Sequence, residues 1–264
     1  MNILSKENLL LISNLAIKAG AKIMEHYQNN VEVKIKDDHS PLTKADLDSN
    51  AIIINFLKKI DHKIPILSEE SFIDWKIRKN WNRYWLIDPL DGTKEFINKN
   101  GEFTVNIALV ENNKPILGVI YAPVLSTLYY ALIDYGAYKI QSSKKLDSLV
   151  NSKKINVKKK KYFEHLSVIG SRSHSNQEFD NWLKKNIQNY ELIKKGSSLK
   201  FCKIADGSAD IYPRFGPTSE WDIAAGHIIL SEAGGNILDL DGEEIVYNTK
   251  EDILNPYFIA SGMH

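Results

Sequence analysis

Residues 84–97 read Tyr-Trp-Leu-Ile-Asp-Pro-Leu-Asp-Gly-Thr-Lys-Glu-Phe-Ile, and the rest of the chain can be interpreted around them. The apolar run at 84–87 predicts a buried strand, and it ends in two acids, Asp88 and Asp91. Pro89 has no N–H and a fixed φ, so we expect the chain to turn there and both carboxylates to converge on one point. The Leu90 carbonyl stays free in such a turn. The stretch therefore predicts an oxygen-rich corner at the exit of a strand.

The residues after this corner are predicted to form a site that binds an anion. Residues 93–97 are predicted to form one helical turn after Gly92, and the free N–H groups at its start would point back toward the corner. Mg²⁺ prefers carboxylate and carbonyl oxygens and usually binds through few protein ligands plus a substrate phosphate. Two carboxylates beside an anion-accepting turn therefore favour metal-assisted phosphoryl chemistry. The alternative is that Asp-Pro and Asp-Gly are only turn formers.

The composition is that of an ordinary globular protein. With 264 residues, of which 43% are hydrophobic and 25% charged, the chain can bury an ample core as one large domain or two fused halves. A lone Cys202 excludes an internal disulfide, and its apolar neighbours predict a buried thiol in a reducing compartment. The sequence contains neither a leader-like N-terminus nor an apolar stretch of about 20 residues. We therefore expect a cytosolic protein without a transmembrane segment, with peripheral association at the inner membrane left open.

The charge balance gives no sign of a nucleic-acid partner. The 34 Lys and Arg residues against 33 Asp and Glu residues leave a net charge of +1. Lysines do cluster between Lys153 and Lys161, without interleaved aromatic residues. We expect this cluster to be a solvated loop or an edge strand, and the alternative is a patch that binds an anion.

Hydrophobic periodicity divides the chain into two halves, 1–145 and 146–264. Helical spacing of apolar residues predicts helices over 9–27 and 43–59, and alternation predicts a half-buried strand at 31–36. An antiparallel meander follows the central stretch. The polar, lysine-rich residues 141–161 are the best boundary candidate. Beyond them, strands alternate with helices, which is typical of an α/β half. The remaining predicted strands are 64–67, 103–110, 115–121, 127–133, 137–140, 166–169, near 192, 209–212, 236–238 and 257–260, and the remaining helices are 176–186, 199–205 and 219–233.

Further acids follow or open predicted elements. Glu69 and Glu70 follow the strand at 64–67, so two neighbouring strands could deliver Glu69 and Asp88 to one rim, although such glutamates are usually surface charge. Asp222 opens a helix, where an acid is by default an N-cap or a partner of the helix dipole. Asp46 lies in a first helical turn, where the dipole also favours an acid.

Several motifs together resemble those of the inositol monophosphatase superfamily. They are Ser-Glu-Glu at 68–70, Asp-Pro-Leu-Asp-Gly-Thr at 88–93 and Trp-Asp at 221–222, and the resemblance extends from about Ser40 to about Gly235. Lys-Glu-Phe at 94–96 is most similar to the CysQ branch, the bisphosphate nucleotidases. The resemblance implies an α/β fold with the layers αβαβα, similar to that of the fructose bisphosphatases.

The resemblance also implies a metal centre with two or three Mg²⁺ ions. Its ligands would be Glu69, Asp88, the Leu90 carbonyl, Asp91 and Asp222. Four carboxylates repel one another strongly without cations, so we expect instability of the metal-free protein. A water activated by one cation would attack the phosphate, and a second cation would stabilise the leaving oxygen.

Catalysis would also need a proton acceptor. Thr93 and Asp46 resemble the hydrogen-bonded pair that takes the proton of the water in related phosphatases. Threonine is not a competent base at neutral pH, so Asp46 would be the acceptor behind Thr93. Glu70 would orient a water.

The remote end of the substrate is expected at two loops that lead from strand to helix, 170–174 and 196–200. Both loops also fit ordinary helix capping by serine. Similarity to the bisphosphate nucleotidases implies substrate contacts at Gly92, Thr93, Ser171, His174, Gly196 and Lys200. Arg214 is not matched tightly to the family pattern.

The sequence therefore predicts a Mg²⁺-dependent phosphatase for a small phosphorylated substrate. We expect hydrolysis of the 3′-phosphate of adenosine 3′,5′-bisphosphate (PAP) to AMP and phosphate, with the corresponding phosphosulfate (PAPS) as a further candidate. The alternatives are an inositol monophosphatase or broad-specificity sugar phosphatase of the same fold, and a protein that binds phosphorylated ligands without turnover. The last should lack one or more of the motif residues, and none is missing. The oligomeric state stays open.

Overall fold

The computed structural model describes residues 4–29, 33–36, 41–172 and 177–263. Within these ranges the chain forms seven α-helices and fourteen β-strands. The elements up to residue 155 are α1 (Lys6–Tyr27), β1 (Val33–Ile35), β2 (Pro41–Thr43), α2 (Lys44–Ile60), β3 (Ile66–Ser68), α3 (Trp75–Arg78), β4 (Arg83–Asp91), α4 (Thr93–Ile97), β5 (Thr104–Glu111), β6 (Lys114–Ala122), β7 (Thr127–Leu132), β8 (Gly136–Gln141) and β9 (Lys153–Ile155). The later elements are β10 (Leu166–Ser171), α5 (Gln177–Asn186), β11 (Tyr190–Lys195), α6 (Leu199–Ala205), β12 (Ile211–Arg214), α7 (Glu220–Glu232), β13 (Asn236–Asp239) and β14 (Phe258–Ser261).

The larger sheet has seven strands in the order β3-β4-β5-β6-β7-β8-β9. Strands β3 and β4 are parallel and the later neighbours are antiparallel, which confirms the predicted meander. Asn112 and Asn113 join β5 to β6 with φ values of 49° and 63°, as a tight hairpin turn requires. Strand β9 is an edge strand and carries Lys153 and Lys154, as expected for part of the lysine cluster.

Strand β4 is buried on both faces because helices cover each side of this sheet. Trp85 and Ile87 pack in the cluster that contains α1 and α2, whereas Tyr84 and Leu86 pack in the cluster that contains α6 and α7. The alternation explains why the sequence of this strand is apolar without interruption.

The molecule has five layers. Helices α1 and α2 cover the seven-stranded sheet, and α6 and α7 lie between it and a five-stranded sheet in the order β11-β10-β12-β14-β13. Helix α5 covers the outer face of the second sheet, where Leu183 packs with Val168 and Ile211. This αβαβα order confirms the predicted fold class.

Helix α7 approaches β6 closely because a glycine stands at the contact. A Cβ at Gly118 would lie 2.4 Å from Ile228 Cγ2 and 2.7 Å from the Ala225 carbonyl oxygen. A Cβ at Gly226 would lie 2.6 Å from an aromatic ring of α6. The small residues at these contacts therefore allow close packing of α7, the helix that carries Asp222.

Two details of the sequence interpretation are wrong. Strand β4 does not end at Ile87 but continues to Asp91, with an irregular register between Asp88 and Asp91, where Pro89 cannot donate to the ladder. Strand β1 is exposed rather than half-buried, because it pairs with β2 in a separate two-stranded sheet. The division at 145/146 stays a prediction, although β9 lies beyond it and pairs with β8.

Candidate active site

Parallel strands β3 and β4 bring Glu69 and Asp88 to the same edge of the sheet. Ser68 is in register with Ile87, and the Glu69 N–H donates to the Ile87 carbonyl at 3.1 Å. Asp88 is 1% exposed, and its Oδ1 accepts from the Leu90 N–H at 3.0 Å. The two acids therefore emerge side by side from neighbouring strands, as the sequence predicts.

Asp91 joins the two halves of the chain. Its Oδ2 accepts from the Ser198 N–H at 2.5 Å and from Asn106 Nδ2 at 3.2 Å. Gly92 follows with a φ of 92°, a value that favours glycine, and α4 begins at the next residue. The left-handed turn lets the chain reverse between Asp91 and α4.

Asp222 reaches the same place from the first turn of α7. Its Oδ2 accepts from the Ser219 N–H at 2.8 Å in a capping box. A cavity of about 280 Å³ is lined by Asp222 together with Glu69, Asp88 and Asp91. The second half of the chain thus supplies one acid to a site that the first half builds.

Burial and mutual repulsion raise the pKa values of these acids. Burial raises the pKa of Asp88 well above its usual range, and Glu69, Asp91 and Asp222 raise it further. Burial, followed by Asp91 and Glu69, raises the pKa of Asp222 to about 8. Burial also raises the pKa of Asp91 to about 6, although nearby Lys200 opposes the rise. A divalent cation would relieve this concentration of negative charge.

The donor set of the cavity fits a hard cation, since it consists of carboxylate oxygens and lies beside Leu90. In the described part of the chain, however, no three His, Cys, Asp or Glu side chains are arranged to hold one metal ion. The Lys36 ammonium instead neutralises part of the charge, with Nζ 2.8 Å from Glu69 Oε1 and 2.6 Å from Glu70 Oε1. The metal ligands therefore stay a prediction, supported by charge and by donor type.

The structure brings together the two residues predicted to take the proton. Thr93 Oγ1 donates to Asp46 Oδ1 at 3.1 Å. Asp46 Oδ2 accepts from the N–H and the hydroxyl of Thr43 at 2.8 and 2.5 Å. Burial raises the pKa of Asp46, against the hydrogen bonds from Thr43 and Thr93. A buried carboxylate with a raised pKa, one hydroxyl away from the cavity, has the properties of a general base.

Glu70 lies beside this site but does not line the cavity. Its side chain is buried against Lys36. Burial raises the pKa of Glu70 to about 6, although the hydrogen bond from Lys36 opposes the rise. Its predicted role, the orientation of a water, stays a prediction.

The residues predicted to contact the substrate line the same cavity as the acids. Gly92, Thr93, Ser171, Gly196 and Lys200 all line it. Lys200 is 9% exposed, and its Nζ donates to the Ser197 carbonyl at 2.6 Å. Burial lowers the pKa of Lys200 to about 8, although Asp91 opposes the fall. The remaining predicted contact, His174, lies outside the described residues.

A second cavity of about 400 Å³ adjoins the first. The two share Ser171, Tyr212, Arg214 and Pro217. The second cavity is further lined by the apolar side chains of Phe179, Leu192 and Phe215, by the cations Arg172 and Lys194, and by one acid, Asp180. The site therefore has room for a substrate that extends well beyond the acids.

Among the residues that sequence reasoning did not single out are Lys36 and Ser198, which contact acids of the site. Ser198 belongs to the Gly-Ser-Ser loop at 196–198, and the position of this loop after a predicted strand could have indicated that Ser198 lies at the site. Arg214, which the sequence analysis names without a firm match to the family pattern, ends β12 and lines the cavity. Lys36 has no comparable signal, because its contact with Glu69 spans 33 residues of sequence.

The fold and the site together define a class of protein. Five αβαβα layers, four clustered acids at a sheet edge and a buried lysine opposite them are the features of a metal-assisted phosphomonoesterase. The family model described as the inositol monophosphatase family matches residues 6–262. The chain therefore belongs to the inositol monophosphatase family.

Similar proteins support this assignment. The 3′(2′),5′-bisphosphate nucleotidase CysQ of Salmonella typhimurium is 45% identical over 94% of this chain and 96% of its own length. The CysQ of Buchnera aphidicola is 46% identical over 96% of this chain and 92% of its own length. The crystal structure of CysQ from Bacteroides thetaiotaomicron covers 100% of both chains with a TM-score of 0.87 at 42% identity. The Thermotoga maritima IMPase covers 97% of this chain and 92% of its own, with a TM-score of 0.78 at 26% identity.

Members of this family are metal-dependent phosphatases, generally with Mg²⁺. In the part of the chain that the structure describes, no helix is both long and apolar enough to cross a membrane.

Proposed function

We propose that this protein is a Mg²⁺-dependent 3′(2′),5′-bisphosphate nucleotidase. It hydrolyses the 3′-phosphate of PAP to give AMP and phosphate, and PAPS is a second substrate of the same type. The CysQ relatives, which match nearly the whole chain at 43–46% identity, support this activity.

The observation that carries the proposal is that two cations line the cavity beside the acids and that a second cavity extends beyond them. Lys200 is buried opposite Asp91, and Arg214 lies where the two cavities meet. A nucleotide bisphosphate has a second phosphate and a base far from the bond that breaks, so it needs cations and space at that distance. A monophosphate of inositol or of a small sugar would leave Lys200, Arg214 and the second cavity without a partner.

The acids that line the cavity would serve as metal ligands. Glu69, Asp88, the Leu90 carbonyl, Asp91 and Asp222 would hold two or three Mg²⁺ ions. When bound, the ions would lower the pKa of the attacking water and neutralise charge on the phosphate and on the leaving oxygen.

The chain's own groups move the proton. Thr93 accepts a proton from the attacking water while it donates its own hydroxyl proton to Asp46, so the negative charge of Asp46 ends on the water oxygen. That oxygen forms the new bond to phosphorus, and the bond from phosphorus to O3′ breaks. O3′ then takes a proton from solvent, so that AMP leaves with a free 3′-hydroxyl, and Asp46 returns its proton to solvent. Lys200 and Arg214 bind the 5′-phosphate and hold the nucleotide in line.

A side-by-side turnover assay tests the proposal. The purified protein with Mg²⁺ is given PAP, PAPS, inositol 1-phosphate and fructose 1,6-bisphosphate at matched concentrations, and phosphate release is measured. We expect the highest kcat/KM on PAP. A higher kcat/KM on inositol 1-phosphate or fructose 1,6-bisphosphate would favour the inositol or sugar phosphatase instead, and binding without turnover would favour a ligand-binding protein.

We further propose that the protein works in a reducing compartment, the cytosol. The buried, unpaired Cys202 supports this, since a thiol in that state persists where disulfides do not form.

A further inference from the structure

Glu102 lies in the loop between α4 and β5 and reaches across to the second half of the chain. Its Oε2 accepts from Arg172 Nε at 2.7 Å and from the Gly196 N–H at 2.8 Å. Its Oε1 accepts from Arg172 Nη2 and from Lys195 Nζ, both at 2.9 Å. One carboxylate therefore takes four hydrogen bonds from the ends of two adjacent strands, β10 and β11.

The contact is a strong one. The Glu102 side chain is only 12% exposed. Burial opposes its ionisation, but the hydrogen bonds from Arg172, Lys195 and Gly196 outweigh burial and lower the pKa of Glu102 to about 2. Arg172 presents two nitrogens to the carboxylate, the geometry that gives both strength and orientation.

The loop that Glu102 holds packs closely against the segment that contains Glu95 and Glu102. A Cβ at Gly196 would lie 2.6 Å from Glu95 Cγ and 3.0 Å from the Glu102 carbonyl oxygen, so the backbone fits there only as glycine. Two residues later, the Ser198 N–H donates to Asp91. The segment that leads to Lys200 is thus fixed at one end by Glu102 and in the middle by an acid of the site.

We propose that Glu102 is a positioning residue for substrate choice. It fixes Arg172 at the end of β10 and the segment that begins at Gly196 after β11, and so sets the position of Lys200 relative to Arg214 and to the acids that surround the reacting phosphate. The proposal rests on the proposed function, because only a substrate with a second anionic group uses those cations. Glu102 itself touches neither the reacting atoms nor the cavity.

The test compares two nucleotides that share the reacting phosphate. PAP carries a 5′-phosphate and adenosine 3′-monophosphate does not, so the ratio of their kcat/KM values measures the advantage of the 5′-phosphate. We expect Glu102→Ala to lower this ratio by roughly tenfold to a hundredfold, mainly through the KM for PAP, as for a loop displaced by about 1 Å. Glu102→Gln keeps the shape and two of the acceptor contacts, and it should fall between Glu102→Ala and the wild type. The ratio is insensitive to misfolded protein, because an inactive fraction lowers both values equally.

A matched control lies at the far end of β5, the strand that follows Glu102. Glu111 also pairs with an arginine, Arg83, but at the end of β5 remote from the site. Glu111→Ala should leave the ratio at the wild-type value. Arg172→Met should lower it as Glu102→Ala does, and the double variant should lose no more than either single one, because the two residues act as a unit.

The outcomes separate the two proposals. A wild-type protein without any 5′-phosphate advantage would refute the proposed function, and this inference with it. A wild-type advantage that survives in Glu102→Ala would refute the inference alone. An equal loss of kcat/KM on both nucleotides in Glu102→Ala would also refute the inference. A lower ratio in Arg172→Met with an unchanged ratio in Glu102→Ala would refute it too, because Arg172 would then contact the substrate directly.

Discussion

Replacing Asp222 by asparagine should stabilise the metal-free protein while it removes the activity. Asp222 is buried among acids, and its pKa is raised from the ordinary value of 3.8 to about 8. Between these two pH values the folded protein keeps a proton that the unfolded chain has lost, so stability falls as pH rises. Asparagine has no such proton, and its side-chain oxygen can still accept from the Ser219 N–H at the start of α7.

The size of the stabilisation follows from the difference between the folded and unfolded pKa values of Asp222. Each pH unit costs about 1.4 kcal/mol, so the full interval costs near 6 kcal/mol. Part of this cost comes from repulsion by Asp91 and Glu69, whose own protonation can relieve it, so the expected effect is a range. We expect Asp222→Asn to raise the free energy of unfolding by about 3 to 6 kcal/mol at about pH 8 without metal, and to leave it unchanged below about pH 4. Mg²⁺ should reverse the order, since it stabilises the wild type by binding the folded state.

The assay is urea unfolding in EDTA and in Mg²⁺ at several pH values. Asp206→Asn is the matched control, because the pKa of the buried Asp206 is lowered rather than raised: its hydrogen bond and charge contact with Lys139 outweigh burial. That variant should lose stability at neutral pH, where the wild-type carboxylate is paired. A wild-type stability in EDTA that stays constant from about pH 5 to about pH 8, or an Asp222→Asn protein less stable than the wild type there, would refute the reasoning.

Three other predictions concern activity. Thr93→Ala and Asp46→Asn should each lower kcat by ~10²-fold or more, and the double variant by no more than one of them, because they act as one proton acceptor; multiplied losses in steady-state assays would show separate roles. Li⁺ should inhibit at concentrations where Na⁺ does not, since a small cation can replace Mg²⁺ at a weakly held position, whereas equal inhibition by both salts would indicate ionic screening. Lys200→Ala should lower kcat/KM on PAP by about 10 to 150-fold, the cost of one charged hydrogen bond, and should affect inositol 1-phosphate much less. Lys203→Met, one turn further along α6, is the control, and equal losses of Lys200→Ala on both substrates would assign Lys200 to the scaffold.

The elements that the sequence predicted best are those with local causes. Helices α1, α2, α6 and α7 and the strands of the meander follow from periodicity, and the structure places their ends within about three residues of the predicted ones. The sequence interpretation did not include α3 or β2, because each has only three or four residues and too little periodicity to recognise. The alternation at 31–36 predicts a half-buried strand, but β1 is exposed, because alternation alone does not determine which sheet a strand joins.

The contacts that complete the site have causes remote in sequence. Lys36 lies 33 residues from Glu69, and Glu102 lies 94 residues from Gly196. No local pattern carries such a contact, since it exists only after the two halves have packed. The residues predicted for the site lie in sequence motifs, whereas residues that position them, such as Lys36 and Glu102, lie in none.

Asp46 and Asp222 illustrate why a structural and a catalytic explanation of one residue need not compete. Each is the third residue of its helix, and one carboxylate oxygen of each accepts from the backbone N–H of the capping residue, Thr43 or Ser219, at 2.8 Å. In Asp46, the other oxygen accepts from Thr93. The capping bond removes the rotational freedom of the side chain, and so it aims the remaining oxygen without a further contact. The same N-terminal capping that makes these aspartates look ordinary in the sequence is therefore what holds two acids of the site in position.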